Sequence, residues 1–178
     1  TDNDQVVAAF QEGVTRIHTL SSGSEVRSYT GNIGAHYYAA YNPAGTRVIS
    51  AGEISLTGGG FTGTCVVWDA SSGTSIATFD GGGKINSHQW RSQWAGYTAD
   101  GSQIVTANSF GGINVWTSSG THVKQHLVRQ AAKGAVVSAC FLNDDQNAAT
   151  MGEDGTVVLH AVETRDTVRT LNELGSLA

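Results

Sequence analysis

Proline, cysteine and runs of like charge are scarce in this chain. It has one proline and two cysteines among 178 residues, and charged residues make up only 14%. The formal net charge of −5 is spread along the sequence without a basic stripe, which argues against double-stranded nucleic acid as a partner. The sequence contains no phosphate-binding Gly-Lys-Ser/Thr loop, His-Glu-x-x-His motif or Cys-x-x-Cys pair. We therefore expect no cofactor and no metal.

The sequence also lacks a signal peptide, an apolar run long enough to cross a membrane and an Asn-x-Ser/Thr sequon. Cytoplasm or nucleus is the expected location, with no membrane partner. Cys65 and Cys140 fall in predicted strands of different repeats, and we interpret both as buried thiols in a reducing compartment. A disulfide between them is the alternative.

One phrase recurs along the chain: a short apolar strand that ends in tryptophan or histidine. The four copies end at His18, Trp68, Trp116 and His160, and a Ser-Ser-Gly turn follows three of them. The clearest copy carries Trp68 directly before Asp69. A repeat of about 40–45 residues with a Trp-Asp signature is typical of β-propeller blades.

The residues around each anchor predict further strands. A strand, a turn and a second strand precede the anchor in three of the repeats, and an outer strand follows it in all four. Apolar and β-branched residues fill these strands, whereas Gly, Ser, Asn and Asp fill the turns. The pattern predicts an all-β chain of four-stranded antiparallel units. Their bounds are 1–31 for a partial first blade, 32–80, 81–129 and 130–171, with a tail at 172–178.

These residues resemble the WD-repeat family over nearly the whole chain. The resemblance implies a β-propeller segment, with a buried hydrogen-bonded tetrad of His, Ser or Thr, Asp and Trp in each blade. No blade here keeps all four residues. The positions that match the tetrad are Ser50, Trp68 and Asp69 in the second blade, His88, Thr106 and Trp116 in the third, and Thr150, Asp154 and His160 in the fourth.

The first repeat aligns without an innermost strand, so the repeats amount to an incomplete or half propeller. Open blade faces would then be exposed. Three arrangements remain open. The chain is a piece of a longer polypeptide, it pairs with a second copy to give about seven blades, or a larger assembly covers its open ends.

Two groups of residues are candidates for contact with a partner. The turn Glu53–Thr64 is longer than the same turn in the third and fourth blades, and Ile54, Leu56 and Phe61 would project from a mobile glycine stalk. A neutral surface insertion is the alternative. Tyr37, Trp90 and Arg91 are of the types that dominate interface hot spots. Packing between blades is the alternative for Trp90 and the favoured interpretation of Trp94.

The resemblance implies a non-catalytic scaffold that docks a protein or peptide on its loop rim. One alternative is a structural subunit buried in a large ribonucleoprotein or cytoskeletal assembly. Another is a propeller enzyme, but the inner strands supply mostly Ala, Tyr, Val and Ser rather than acids and bases. His122 and His126 would stand roughly 13 Å apart on a strand, which is too far for a shared metal ion.

Overall fold

The chain folds into antiparallel β-strands throughout the part that the computed structural model describes. The described residues are 4–30, 34–57, 60–80, 91–109, 112–127, 136–142, 146–161, 164 and 166–171. They form fifteen strands, and no helix that could span a membrane occurs among them. The prediction of an all-β chain is confirmed.

The strands form four sheets, each a meander of neighbours in sequence. The first sheet holds β1 (Gln5–Phe10), β2 (Val14–Thr19) and β3 (Glu25–Thr30). The second holds β4 (His36–Tyr41), β5 (Arg47–Ser55), β6 (Phe61–Asp69) and β7 (Ser75–Phe79). The third holds β8 (Ser92–Tyr97), β9 (Gln103–Asn108), β10 (Gly112–Thr117) and β11 (His122–Leu127). The fourth holds β12 (Val136–Phe141), β13 (Asn147–Gly152), β14 (Val157–Ala161) and β15 (Thr167–Leu171).

Each sheet packs on the next one along the chain. Side chains alternate between the two faces of a strand, so neighbouring residues point to different sheets. Val48 and Trp68 pack with Ile17 and Tyr29 of the first sheet. The next residue in β5, Ile49, joins the core that the second sheet shares with the third. The second and third sheets are consequently buried on both faces.

Trp94 lies in the core between the third and fourth sheets. Its side chain is buried with Val105 and Val115 of its own sheet and with Val136 and Ala139 of the fourth. Trp94 therefore packs between sheets, as the favoured interpretation predicted.

The two cysteines differ in their surroundings. Cys65 is fully buried between the second and third sheets, as predicted, and both thiols are free. The prediction that Cys140 is buried is wrong, because its side chain is exposed. The preceding residue, Ala139, packs against the third sheet, so alternation along β12 turns Cys140 to the opposite face.

Candidate functional site

The predicted loop between the second and third strands of the second sheet is a paired ribbon. Strands β5 and β6 continue their pairing through Glu53 with Gly63, Ile54 with Thr62 and Ser55 with Phe61. Leu56 N donates to Gly60 O at 2.9 Å near the tip. The structure therefore has a hairpin where a mobile glycine stalk was expected. Gly58 and Gly59 lie outside the described residues. Backbone pairing gives the apolar side chains fixed positions on two faces.

Arg91 lies at the foot of this hairpin, directly before β8. Its Nε donates to Glu53 Oε2 at 2.8 Å. The guanidinium carbon lies 4.8 Å from the ring centroid of Phe61 and 5.7 Å from that of Tyr37. We call Tyr37, Glu53, Phe61 and Arg91 the Arg91 cluster. It joins three strands of the second sheet to the entrance of the third.

Backbone contacts fix the position of Arg91. Its backbone N donates to Ser109 Oγ at 3.2 Å, and Ser109 N donates to the Arg91 carbonyl at 3.0 Å. Glu53 is held as firmly, since its backbone N donates to Ala35 O and its carbonyl accepts from Gly34 N. Both charged side chains therefore extend from anchored backbone.

The charges in the Arg91 cluster are unequally exposed. The side chain of Glu53 is 18% exposed, whereas that of Arg91 is 44% exposed. The pKa of Tyr37 is raised, first by burial and then by its hydrogen bond to the Glu53 carboxylate. The Glu53 carboxylate is thus hydrogen-bonded to both Arg91 and Tyr37. Arg91 is the member with the larger charged surface available to a partner.

The predicted contact residues do not form one surface. Tyr37, Phe61 and Arg91 come together, whereas Ile54 lies on the opposite face of the hairpin because it alternates with Glu53. Leu56 stands at the tip and is 48% exposed. Trp90 lies outside the described residues. Sequence reasoning missed Glu53 as a site residue. An acidic residue beside an apolar insert is nevertheless a candidate ion-pair partner for an arginine.

The matched tetrad positions contain a hydrogen bond that recurs in three sheets. Trp68 Nε1 donates to Ser50 Oγ at 2.9 Å, and Trp116 Nε1 donates to Thr106 Oγ1 at 3.0 Å. In the fourth sheet Thr150 Oγ1 and His160 Nε2 are hydrogen-bonded at 3.0 Å. All six side chains are buried. His88 lies outside the described residues.

The two matched aspartates differ in position, since Asp69 ends strand β6 and Asp154 lies in the turn that follows β13. Asp69 Oδ1 accepts from the backbone N of Ser71 and Ser72, at 3.0 and 2.7 Å, and from both hydroxyls. These bonds, that of the Ser71 hydroxyl foremost, lower the pKa of Asp69 to about 2. Asp154 Oδ1 accepts from Thr156 N at 2.9 Å. Asp69 therefore stabilises the Ser-Ser-Gly turn that follows β6.

A buried histidine that the sequence did not single out joins the first two sheets. His36 Nδ1 and Thr15 Oγ1 are hydrogen-bonded at 2.6 Å, and His36 is only 1% exposed. This burial lowers the pKa of His36 to about 4. The imidazole is thus neutral at pH 7.

Among the residues that the structure describes, no three His, Cys, Asp or Glu residues are close enough to hold a metal ion. The side chains of His122 and His126 fall outside this description, so the predicted separation stays a prediction.

No protein-family model matches the chain, and the search of curated proteins finds no match. The resemblance to WD-repeat proteins rests on the repeated residues and remains a prediction.

Proposed function

We propose that this chain is a non-catalytic scaffold, a segment of a WD-repeat β-propeller that docks a protein or peptide partner. The docking surface is the rim that carries the Arg91 cluster and the β5–β6 hairpin. The observation that supports this proposal best is that Tyr37, Phe61 and Arg91 converge around Glu53. These three candidate contact residues come from distant parts of the sequence.

The sheet packing supports the propeller part of the proposal. The first strands of the second, third and fourth sheets contact one another in order, β4 with β8 and β8 with β12. Successive sheets pack face to face through apolar cores. Blades around a common axis have this relationship, in which the innermost strands are neighbours.

The composition of the rim favours a particular partner chemistry. Leu56 offers an exposed apolar contact, and Arg91 offers guanidinium donors between two aromatic rings. Arginine and aromatic residues dominate binding energy at protein interfaces. We therefore expect a peptide segment with an apolar side chain and a nearby carboxylate.

Selection from a random peptide display library on the immobilised chain tests the proposal. Selected peptides should bind Arg91→Gln or Leu56→Ser at least about tenfold more weakly than the unsubstituted protein. Ile76→Ser is the matched control, because Ile76 is 43% exposed on β7, outside the Arg91 cluster and the hairpin. Circular dichroism would check that each variant is folded.

Equal binding to all three variants would show that the rim is not the docking surface. A structural subunit in a larger assembly is the second candidate function, favoured by the exposed apolar residues Val6 and Met151 in the first and last sheets. A stable complex of defined mass, isolated with the chain, would support that candidate.

A further inference from the structure

The contact between the first and second sheets and the contact between the second and third sheets share one geometric feature at the outer strands. In the second sheet, Gly73 has a φ of 78°, and a Cβ placed there would lie 3.4 Å from Cδ of Arg27 in β3. In the third sheet, a Cβ on Gly120 would lie 2.9 Å from Cδ1 of Phe79 in β7. The outer strand of one sheet thus seats on the glycine turn of the next sheet.

A hydrogen bond and burial accompany this seating. Tyr29 OH donates to Ala70 O, in the Gly73 turn, at 3.2 Å. Tyr29 is 1% exposed and Phe79 is 8% exposed. Seating on the next sheet therefore buries the aromatic residue near the end of the outer strand.

The fourth sheet has the same positions, but they are uncovered. Arg27 pairs with Ile17 and Tyr29 with Thr15, as Arg169 pairs with Leu159 and Leu171 with Val157. Leu171, which corresponds to Tyr29, is 47% exposed. We call the side of the fourth sheet turned away from the third the back face. Its members include Cys140, Met151, Leu159, Arg169 and Leu171.

The first sheet has the receiving turn, which is uncovered too. Leu20–Gly23 reads Leu-Ser-Ser-Gly, as Ala70–Gly73 reads Ala-Ser-Ser-Gly, and Gly23 has a φ of 69°. Among the described residues, nothing lies within 4 Å of a Cβ placed on Gly23, and Leu20 is 59% exposed. We call this side of the first sheet the front face. Its members include Val6, Arg16, His18, Leu20 and Gly23.

Charge is complementary across the two open faces. Arg169 on the outer strand β15 is exposed. On the front face, Arg16 lies 2.8 Å from Glu12 and 3.4 Å from Glu25, so two carboxylates share one guanidinium. Glu25 lies on the outer strand β3, and its side chain is 46% exposed. The back face thus carries an exposed cation at the same outer edge where the front face carries surplus negative charge.

We propose that a second copy of this chain covers both open faces, head to tail. The back face of each copy packs on the front face of the other, and Arg169 and Leu171 seat on the Leu20–Gly23 turn. The new contact repeats the contact between the first and second sheets. Two such contacts close a two-fold ring of eight sheets, the upper end of the blade number in propellers. The inference does not depend on the proposed docking rim.

Mass in solution, measured by light scattering over a concentration series of the full chain, tests the proposal. The unsubstituted chain should have twice its monomer mass of 18.5 kDa. Leu20→Lys and Leu171→Glu should each raise the dissociation constant about tenfold or more, because each variant places a buried charge in both contacts of its dimer. Ile76→Glu, an exposed site on neither open face, should leave the dimer intact.

Mixing the two variants separates a head-to-tail contact from any other dimer. One contact of the mixed dimer is unaltered, and the other sets the new ammonium at position 20 against the new carboxylate at position 171, so the mixture should dimerise at concentrations where each variant alone is monomeric. A monomer for the unsubstituted chain, or a mixture that stays monomeric, would overturn the proposal. A ladder of higher masses would overturn the closed ring. Folded variants are verified by their cooperative thermal unfolding.

Discussion

Trp68 donates a hydrogen bond from its indole Nε1 to Ser50 Oγ, 2.9 Å away, between the third and second strands of the second sheet. Both side chains are buried, Trp68 to 4% and Ser50 to 0% exposure. The tilted ring of Tyr29 from the first sheet packs on the indole, with centroids 5.5 Å apart. One residue pair therefore links strand pairing within a sheet to packing between sheets.

Removing the acceptor, Ser50 Oγ, should show how much this hydrogen bond contributes to the unfolding free energy. Ser50→Ala leaves a buried indole N–H without its partner, which should cost about 1–3 kcal/mol of unfolding free energy. Trp68→Ala should cost about 3–5 kcal/mol, because it also leaves a cavity. Chemical denaturation of the two variants and of the double variant gives the coupling energy. Strict additivity would mean that the bond contributes nothing of its own.

Gly63 should resist substitution because the backbone of the third sheet passes close to it. A Cβ there would lie 2.8 Å from Ser92 N, and backbone cannot rotate away as a side chain can. Gly63→Ala should therefore cost about 1–3 kcal/mol. Thr62→Ala, at the adjacent half-buried position, is the control and should cost under about 1 kcal/mol. Similar unfolding midpoints for the two variants would contradict this account of Gly63.

The free energy of unfolding should fall as the pH falls, because protonation of His36 favours the unfolded chain. Its pKa is about 4 in the folded chain and 6.5 as the ordinary value, so the unfolded chain binds the proton more readily. The contribution of neutral His36 is complete above pH 6.5 and is lost as pH falls toward 4. Its full extent is about 3 kcal/mol. Unfolding free energies of the protein and of His36→Gln, measured from pH 7.5 to 4, should converge as pH falls. Parallel curves would show that His36 is not the titrating group.

The two thiols should differ sharply in reactivity. Burial raises the pKa of Cys65 to about 12, so it should react with Ellman's reagent only after unfolding. Cys140 is exposed and should react in the folded chain. Concentrations low enough to keep the chain monomeric are needed, because Cys140 lies on the proposed contact face. Cys140→Ser should abolish the fast phase, whereas equal rates for both thiols would contradict the assignment.

The Arg91 cluster shows where prediction from sequence reached its limit. From the sequence, Phe61 belongs to the apolar group of the insert, whereas Tyr37 and Arg91 belong to the group of hot-spot residue types. Their convergence depends on Glu53, which is 38 residues from Arg91 in sequence, and on the passage of the third sheet beside the hairpin. Pairing within β5 and β6 also turned Ile54 to the other face. Residue chemistry indicated candidate contacts but not which of them share a surface.

The sequence by itself determined the strands, their turns and the buried rings, because these depend on local patterns. Alternation directs Val48 and Ile49 to opposite faces, and the Ser-Ser-Gly turns place glycine where φ is positive, as at Gly73. Only the tertiary structure decided the exposure of Cys140 and the bond between Thr15 and His36. Each depends on which sheet lies against which, and that relationship joins residues whose separation along the chain no local pattern records.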